Sequence, residues 1–213
     1  MENVLMYVNQ KWNQLTSFSK KEDVKNELWR DIVEHHTGPY RYYHNLHHVA
    51  RLFEWSETIM PQMKVPAVTG FAILYHDIVY DTFKDNNEEE SAAVARDHMQ
   101  RLQVKESVIQ QVETYILASK KHELNSQNAF SDLAWFLDLD LAILGAPWDE
   151  YEAYSEQIRK EYRQYPDAVY SPGRKNALEQ LSEKEHLFFT SHFRDLLEAQ
   201  ARQNIFREIQ LLS

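Results

Sequence analysis

The sequence predicts an all-helical protein. Only 4 glycines and 6 prolines interrupt its 213 residues, and they fall between segments whose apolar residues recur every three or four positions. That spacing puts apolar side chains on one face of an α-helix, whereas a half-buried strand alternates them. The length suits one hydrophobic core that needs no disulfide or structural zinc. We therefore predict an all-α fold in a single domain that covers residues 1–213.

Four helices are predicted in the first part of the chain, and the prolines and polar residues set their limits. The stretch Thr37-Gly38-Pro39 ends the second helix, Pro61 ends the third, and Pro66 begins the fourth. In chain order the predicted elements are helices at about 4–15, 24–33, 44–60 and 66–77, and then a polar loop at 81–87.

The remaining apolar patterns predict six more helices. Ser171 and Pro172 are expected to be the N-cap and the first residue of one of them. The segment 133–144 is apolar on most sides, as a central helix would be, and yet it carries Asp138 and Asp140. In order, the elements are helices at about 88–102 and 108–116, a loop at 125–128, and helices at 133–144, 148–162, from 171 and at 193–212.

Composition excludes several classes of protein. The net charge of −10 argues against general nucleic-acid binding, which uses clustered Lys and Arg. No apolar run reaches the roughly 20 residues needed to span a bilayer, and the N-terminus resembles no signal or transit peptide. We expect a cytoplasmic protein. Because the chain has no cysteine, any metal site must use His, Asp or Glu.

Chemistry is expected where histidines and carboxylates gather. His44 and His48 are four residues apart, so on one helix they would share a face, and one could bind a metal while the other faces a substrate. His76 and Asp77 are adjacent at the end of an apolar helix, where they can converge on an ion beside it. Asp140 lies within the most apolar helix, and a buried carboxylate is costly unless paired or metal-bound.

Such a mixed set of imidazoles and carboxylates suits a divalent ion rather than a thiophilic metal. Mn, Fe, Mg, Zn, Co and Ni all remain candidates, and the sequence leaves open whether one or two ions bind.

Three motifs carry a resemblance to a known superfamily. They are YHNLHH at residues 43–48, YHD at 75–77 and DLDLAILG at 138–145. Together they resemble the HD superfamily of metal-dependent phosphohydrolases. The chain is similar in particular to small hydrolases that carry RxYHNxxH, HDxVY, NEExSA and DxDLxILG in this order, and the similarity spans about residues 40–207. The resemblance implies a helical HD-domain fold and the hydrolysis of a phosphate ester.

The resemblance also implies a role for each residue. It makes His48, His76, Asp77 and Asp140 the metal ligands. The motif at 43–48 is similar to one in cyclic-nucleotide phosphodiesterases, whose first histidine is the general acid, and that role falls on His44. Asp77 is expected in addition to steer or deprotonate the attacking water.

The chain departs from the phosphodiesterases in two ways. Tyr80 stands where they carry a further histidine, and no counterpart of their purine-binding glutamine is found. We therefore expect a small phosphorylated metabolite or nucleotide as the substrate, not a cyclic nucleotide. The sequence leaves open whether a second metal ion binds. In that arrangement Asp77 would bridge the two ions and Glu88 would hold the water ligands of the second ion.

Each weaker candidate has a structural alternative. Arg41 is expected to contact the substrate phosphate, and an ion pair is its alternative. Glu88 would otherwise be part of the acidic first turn of a helix. His47 is expected at the surface or behind the ligands, and Asp138 is expected to orient a ligand imidazole rather than to bind the metal directly. The remaining candidates are left between a phosphate or metal contact and an ordinary surface role: His122, Arg159 and Arg174.

Two other functions remain open. The first is a metal- or nucleotide-binding sensor without catalysis, and the second is a closed, four-coordinate structural metal site. Water positions on the metal would distinguish a catalytic site from a structural one. The oligomeric state is left open by the sequence.

Overall fold

A computed structural model describes residues 2–124 and 132–212, and over these ranges it contains helices and no strand. The all-α prediction is confirmed. In chain order the helices are α1 (Glu2–Leu15), α2 (Glu22–His36), α3 (Leu46–Ile59), α4 (Pro66–Tyr75), α5 (Asn87–Arg101), α6 (Glu106–Ser119), α7 (Leu133–Leu141), α8 (Trp148–Glu161), α9 (Asp167–Ser182), α10 (Ser191–Phe193) and α11 (Ala199–Leu211). Short 3₁₀ segments follow α3 and α7, and a π-helical turn at Arg194–Glu198 joins α10 to α11.

The third helix begins at Leu46, later than predicted, because Asn45 caps it. The side-chain oxygen of Asn45 accepts a hydrogen bond of 2.7 Å from the backbone N–H of His47, and asparagine is a preferred N-cap. His44 therefore lies in the turn before α3. The expectation that His44 and His48 share one helix face is wrong.

The predicted start of the ninth helix is also wrong. α9 begins at Asp167, directly after Pro166, and Pro172 lies inside it. An acidic residue in the first turn is favoured by the helix dipole, which supports the earlier start. Pro172 lacks the N–H that would bond to the carbonyl four residues earlier, so one helical bond is missing there. The predicted loop at 125–128 lies outside the described residues.

The chain divides into two compact units, residues 1–136 and 137–213, and α7 contains the boundary between them. The single domain predicted for residues 1–213 stays a prediction. None of the described helices is long and apolar enough to cross a membrane.

In the first unit α4 is the central helix. All its residues from 68 to 75 are buried, and it packs against α1, α3, α5 and α6. Gly70 permits the close approach of α1, since a Cβ atom there would lie 2.7 Å from a methyl carbon of Leu15. Each fully buried Leu, Ile or Phe in such a helix stabilises the fold by about 1.5–3 kcal/mol. Because α4 is held on all sides, the His76 side chain at its C-terminal end is buried.

The second unit contains a buried ion pair. Arg174 donates two hydrogen bonds to the Glu208 carboxylate, at 2.8 and 3.1 Å, and the hydroxyls of Tyr151 and Ser155 donate to it as well. Burial by itself would raise the pKa of Glu208, but these bonds, from Arg174 above all, lower it below its ordinary value. Removing one partner would leave a buried charge without compensation.

His36, the last residue of α2, is a buried neutral histidine of the first unit. Its side chain is 1% exposed, and its Nε2 lies 3.1 Å from the carbonyl oxygen of Leu74. Burial lowers the pKa of His36 to about 3. In the unfolded chain a histidine has a pKa of about 6.5, so the unfolded state binds a proton first as the pH falls.

We therefore expect the free energy of unfolding to decrease as the pH falls from about 6.5 toward about 3, because the unfolded state binds more protons in that window. In His36→Gln, which keeps a donor for Leu74, this decrease should be smaller. Urea denaturation at pH 7 and pH 5 measures it, and the exposed His186→Gln is the control. An unchanged pH dependence in His36→Gln would contradict this assignment.

Candidate metal centre

Four side chains of the first unit come together where two segments of the chain turn. His44 lies in the turn before α3 and His48 lies in the first turn of α3. His76 is the C-cap residue of α4, and Asp77 follows it. The His48 and His76 side chains are buried, whereas those of His44 and Asp77 are each 19% exposed. The group thus has a buried side and an accessible side.

Three donor atoms of this group point to a common centre. Nε2 of His48 and Nε2 of His76 are 3.2 Å apart. Oδ2 of Asp77 lies 2.9 Å from Nε2 of His76 and 3.7 Å from Nε2 of His48. With metal–nitrogen bonds of about 2.0–2.1 Å, two ligands are about 3.3 Å apart at a tetrahedral angle and about 2.9 Å apart at a right angle. The three observed distances between donor atoms lie near these values, so His48, His76 and Asp77 could hold one divalent ion.

The His76 ring is oriented as a metal ligand requires. Its Nδ1 lies 3.1 Å from the carbonyl oxygen of Ile73, which can only accept a hydrogen bond. With a proton on Nδ1 for this bond, Nε2 would be left to bind an ion beside His48 and Asp77. Phe136 packs edge-on against the same ring, with the centroids 5.7 Å apart. These two contacts orient the imidazole before any ion binds.

His44 lies at the accessible side of the group. Its Nε2 is 4.0 Å from Oδ2 of Asp77, and its ring stacks on Tyr80 with centroids 4.2 Å apart and planes at 29°. The sequence identified Tyr80 only as a departure from the phosphodiesterase pattern and missed this stacking. No spacing rule could have revealed it, because the two residues are 36 positions apart and meet only in the folded chain.

The Arg41 guanidinium binds backbone carbonyls beside the metal ligands. Nη1 donates to the carbonyl oxygen of His44 at 3.0 Å and also to that of Asp77, and Nη2 donates to that of Ile78 at 2.7 Å. The phosphate contact predicted for Arg41 and the ion pair that was its alternative both stay predictions.

The two aspartates of the motif at residues 138–145 belong to the second unit. Asp138 is fully buried and accepts hydrogen bonds from the backbone N–H groups of Phe189 and Thr190, at 2.7 and 2.9 Å, and from the Thr190 hydroxyl at 2.6 Å. These bonds involve both carboxylate oxygens, and the expectation that Asp138 orients a ligand imidazole stays a prediction. Burial raises the pKa of Asp138 to about 6 despite these bonds. Asp140 is half-buried in the last turn of α7, and its role as a ligand stays a prediction.

Most of the weaker candidates have structural partners. Glu88 lies in the first turn of α5, and its carboxylate is 3.8 Å from the Lys120 ammonium. His47 is exposed, as expected. Arg159 bonds to Asp167, while Arg174 forms the buried pair described above instead of a surface one. His122, just beyond α6, has a left-handed backbone with φ of 47°.

Comparisons with protein-family models, curated proteins and solved structures give no significant match to this chain.

Proposed function

We propose that this protein is a metal-dependent phosphohydrolase that acts on a small phosphorylated compound. The observation that carries the proposal is that the donor atoms of His48, His76 and Asp77 converge. The partly exposed imidazole of His44 lies beside them. A buried imidazole pair with one carboxylate suits a divalent ion, and an accessible edge leaves room for a substrate. The fold class is compatible with the HD-type resemblance, which remains a proposal.

In this proposal His48, His76 and Asp77 hold the ion, and Asp140 is the fourth ligand named by the resemblance. When bound, a divalent cation supplies positive charge for the phosphoryl oxygens and lowers the pKa of a water ligand from about 15.7 toward about 7. Glu88 remains the residue proposed for the waters of a second ion. The phosphate contact expected for Arg41 from its residue type is not part of this proposal, because its guanidinium donates to backbone carbonyls beside the ligands.

The protein's own residues carry the protons. His44 gives a proton to the leaving oxygen, a task that suits histidine because the imidazole changes charge between pH 5 and 8. Tyr80 restricts the orientation of the His44 ring by stacking on it. Asp77, whose Oδ2 lies 4.0 Å from Nε2 of His44, is proposed in addition to steer or deprotonate the attacking water.

The chemistry points to small substrates. A chain with a net charge of −10 would repel an extended polyanion, whereas a bound cation attracts one phosphate group locally. We propose a cytoplasmic location, where phosphorylated metabolites and nucleotides are made.

A sensor that binds a metal or nucleotide without turnover is the second candidate, because the same three donor atoms would serve it. The two functions differ in one measurable property, which is the hydrolysis of a phosphate ester.

The test is a substrate screen with metal-stripped protein. The protein is resupplied in turn with Mn, Mg, Fe, Co, Ni or Zn and offered nitrophenyl phosphomonoesters, phosphodiesters and nucleotides. We expect at least one metal to restore hydrolysis of at least one ester, because the cation supplies the charge that the phosphoryl group requires. Tight metal binding without any hydrolysis would favour the sensor, and no metal binding would contradict both functions.

A further inference from the structure

We propose that Arg41 is a positioning residue that fixes the metal centre through backbone carbonyls, and that it does not capture the substrate phosphate. Its guanidinium joins the turn that carries His44 to the turn that carries Asp77. The part of this inference that concerns metal affinity stands on the three converging donor atoms alone. The part that concerns turnover rests on the proposed phosphohydrolase function.

The hydrogen bonds of Arg41 have an arrangement that fits this role. Both N–H groups of Nη1 are used, one for the carbonyl oxygen of His44 at 3.0 Å and one for that of Asp77. Nη2 adds a bond of 2.7 Å to the carbonyl oxygen of Ile78. Bonds from a charged donor are shorter and stronger than neutral ones. One side chain therefore holds two successive peptide groups, which join Asp77 to Ile78 and Ile78 to Val79, and also the peptide group that follows His44.

Arg41 is itself held in place. Its backbone N–H donates to the carbonyl oxygen of Gly38 at 3.1 Å, and its own carbonyl oxygen accepts from the side-chain amide of Asn45 at 3.3 Å. The guanidinium carbon lies 5.5 Å from the centre of the Tyr80 ring, within the range of a cation–π contact. Tyr80 is also the ring on which His44 stacks. Arg41 thus supports both the backbone and the aromatic contact that orient His44.

The two roles compete for the same nitrogen, Nη1. A phosphate oxygen could take Nη1 only by breaking the bond to His44 or to Asp77, which would release one of the two turns. Lysine could not replace arginine, because an ammonium group is a single point and lacks the planar fork that reaches separate carbonyls. Residues that orient ligands in this way change metal affinity or activity by about 10–100-fold when they are replaced.

The test uses Arg41→Ala and Arg41→Lys in the full-length chain, with Arg30→Ala as the matched control. Arg30 is exposed on α2, and its Nε donates to the carbonyl oxygen of Asn26 in its own helix. Calorimetric titration of metal-stripped protein with Zn²⁺ or Mn²⁺ gives the metal affinity. We expect both Arg41 variants to bind the metal about 10–100-fold more weakly and Arg30→Ala to bind it as wild type does.

The kinetic pattern separates positioning from phosphate capture. With saturating metal, positioning predicts a lower kcat and an almost unchanged KM on the best ester found in the screen. Phosphate capture predicts the reverse, namely a higher KM with wild-type metal affinity, and that result would overturn the inference. If wild type binds metal but hydrolyses nothing, the phosphohydrolase proposal fails, while weaker metal binding in the Arg41 variants would still support positioning. If Arg41→Ala does not fold, the titration is done with Arg41→Lys and Arg41→Gln. Wild-type metal affinity in both of these variants would overturn the inference.

Discussion

Replacing His44 by asparagine is expected to lower kcat by about 10²–10⁴-fold while the fold, metal content and KM are retained. The reason is that general acid catalysis by a positioned side chain contributes a factor of that size, and asparagine cannot deliver the proton. The loss should be smaller for nitrophenyl esters, since nitrophenolate leaves without being protonated. Comparing nitrophenyl and alkyl esters of the same phosphate therefore isolates the proton transfer.

His47→Asn is the matched control for this prediction. It makes the same chemical change three residues away, at an exposed side chain, and should leave kcat unchanged. If His44→Asn loses its metal, His44 is a ligand and its role must be exchanged with that of His48. If it hydrolyses an alkyl ester at the wild-type rate, the proton comes from water or from another residue.

The second large effect is expected at His76, where alanine should empty the metal centre. His76 supplies a donor atom 3.2 Å from Nε2 of His48 and 2.9 Å from Oδ2 of Asp77, and its ring is fixed by the carbonyl of Ile73. A water ligand in its place would lack that fixed orientation. Elemental analysis after dialysis should find about one divalent ion per wild-type chain and almost none in His76→Ala.

Thermal unfolding gives an independent readout of the same prediction. A metal present at a hundred times its Kd stabilises the folded chain by about 2.7 kcal/mol. For a chain of this size that corresponds to a Tm increase of about 5–10 °C. Wild type should show this increase on metal addition and His76→Ala should not.

Asp77→Asn extends the metal test, because the amide keeps the shape of the side chain and removes its charge. Asp97→Asn, on an exposed side chain of α5, is its control. Asp140→Ala examines the ligand that only the resemblance names. A full equivalent of tightly bound metal in Asp140→Ala would remove Asp140 from the ligand set, and the same result in His76→Ala and Asp77→Asn would end the proposed metal centre.

The helical fold was predictable because hydrophobic periodicity is a local property. The apolar pattern of residues 66–75 predicted α4 and its end near His76, and the structure confirms both. The errors occurred where two local signals competed. Asn45 is a better N-cap than His44, and Asp167 after Pro166 began α9 before Ser171 could cap it.

By itself the sequence determined the helical class, the absence of cysteine ligands and the short list of His and Asp residues able to bind a metal. The tertiary structure decided which of them meet. His48 and His76 are 28 positions apart, and no periodicity relates them. Their Nε2 atoms meet because α4 is packed on all sides and α3 lies against it.

Tertiary contacts also decided the hydrogen bonds of two further polar residues, Arg41 and Asp138. Arg41 had the residue type of a phosphate ligand, but the fold placed its guanidinium on backbone carbonyls. Asp138 had the residue type of a ligand's partner, but its oxygens accept hydrogen bonds from residues 189–190. The physical reason is the same in both cases. A side chain's hydrogen bonds depend on the donors and acceptors that packing brings within about 3 Å, and local sequence does not encode these long-range neighbours.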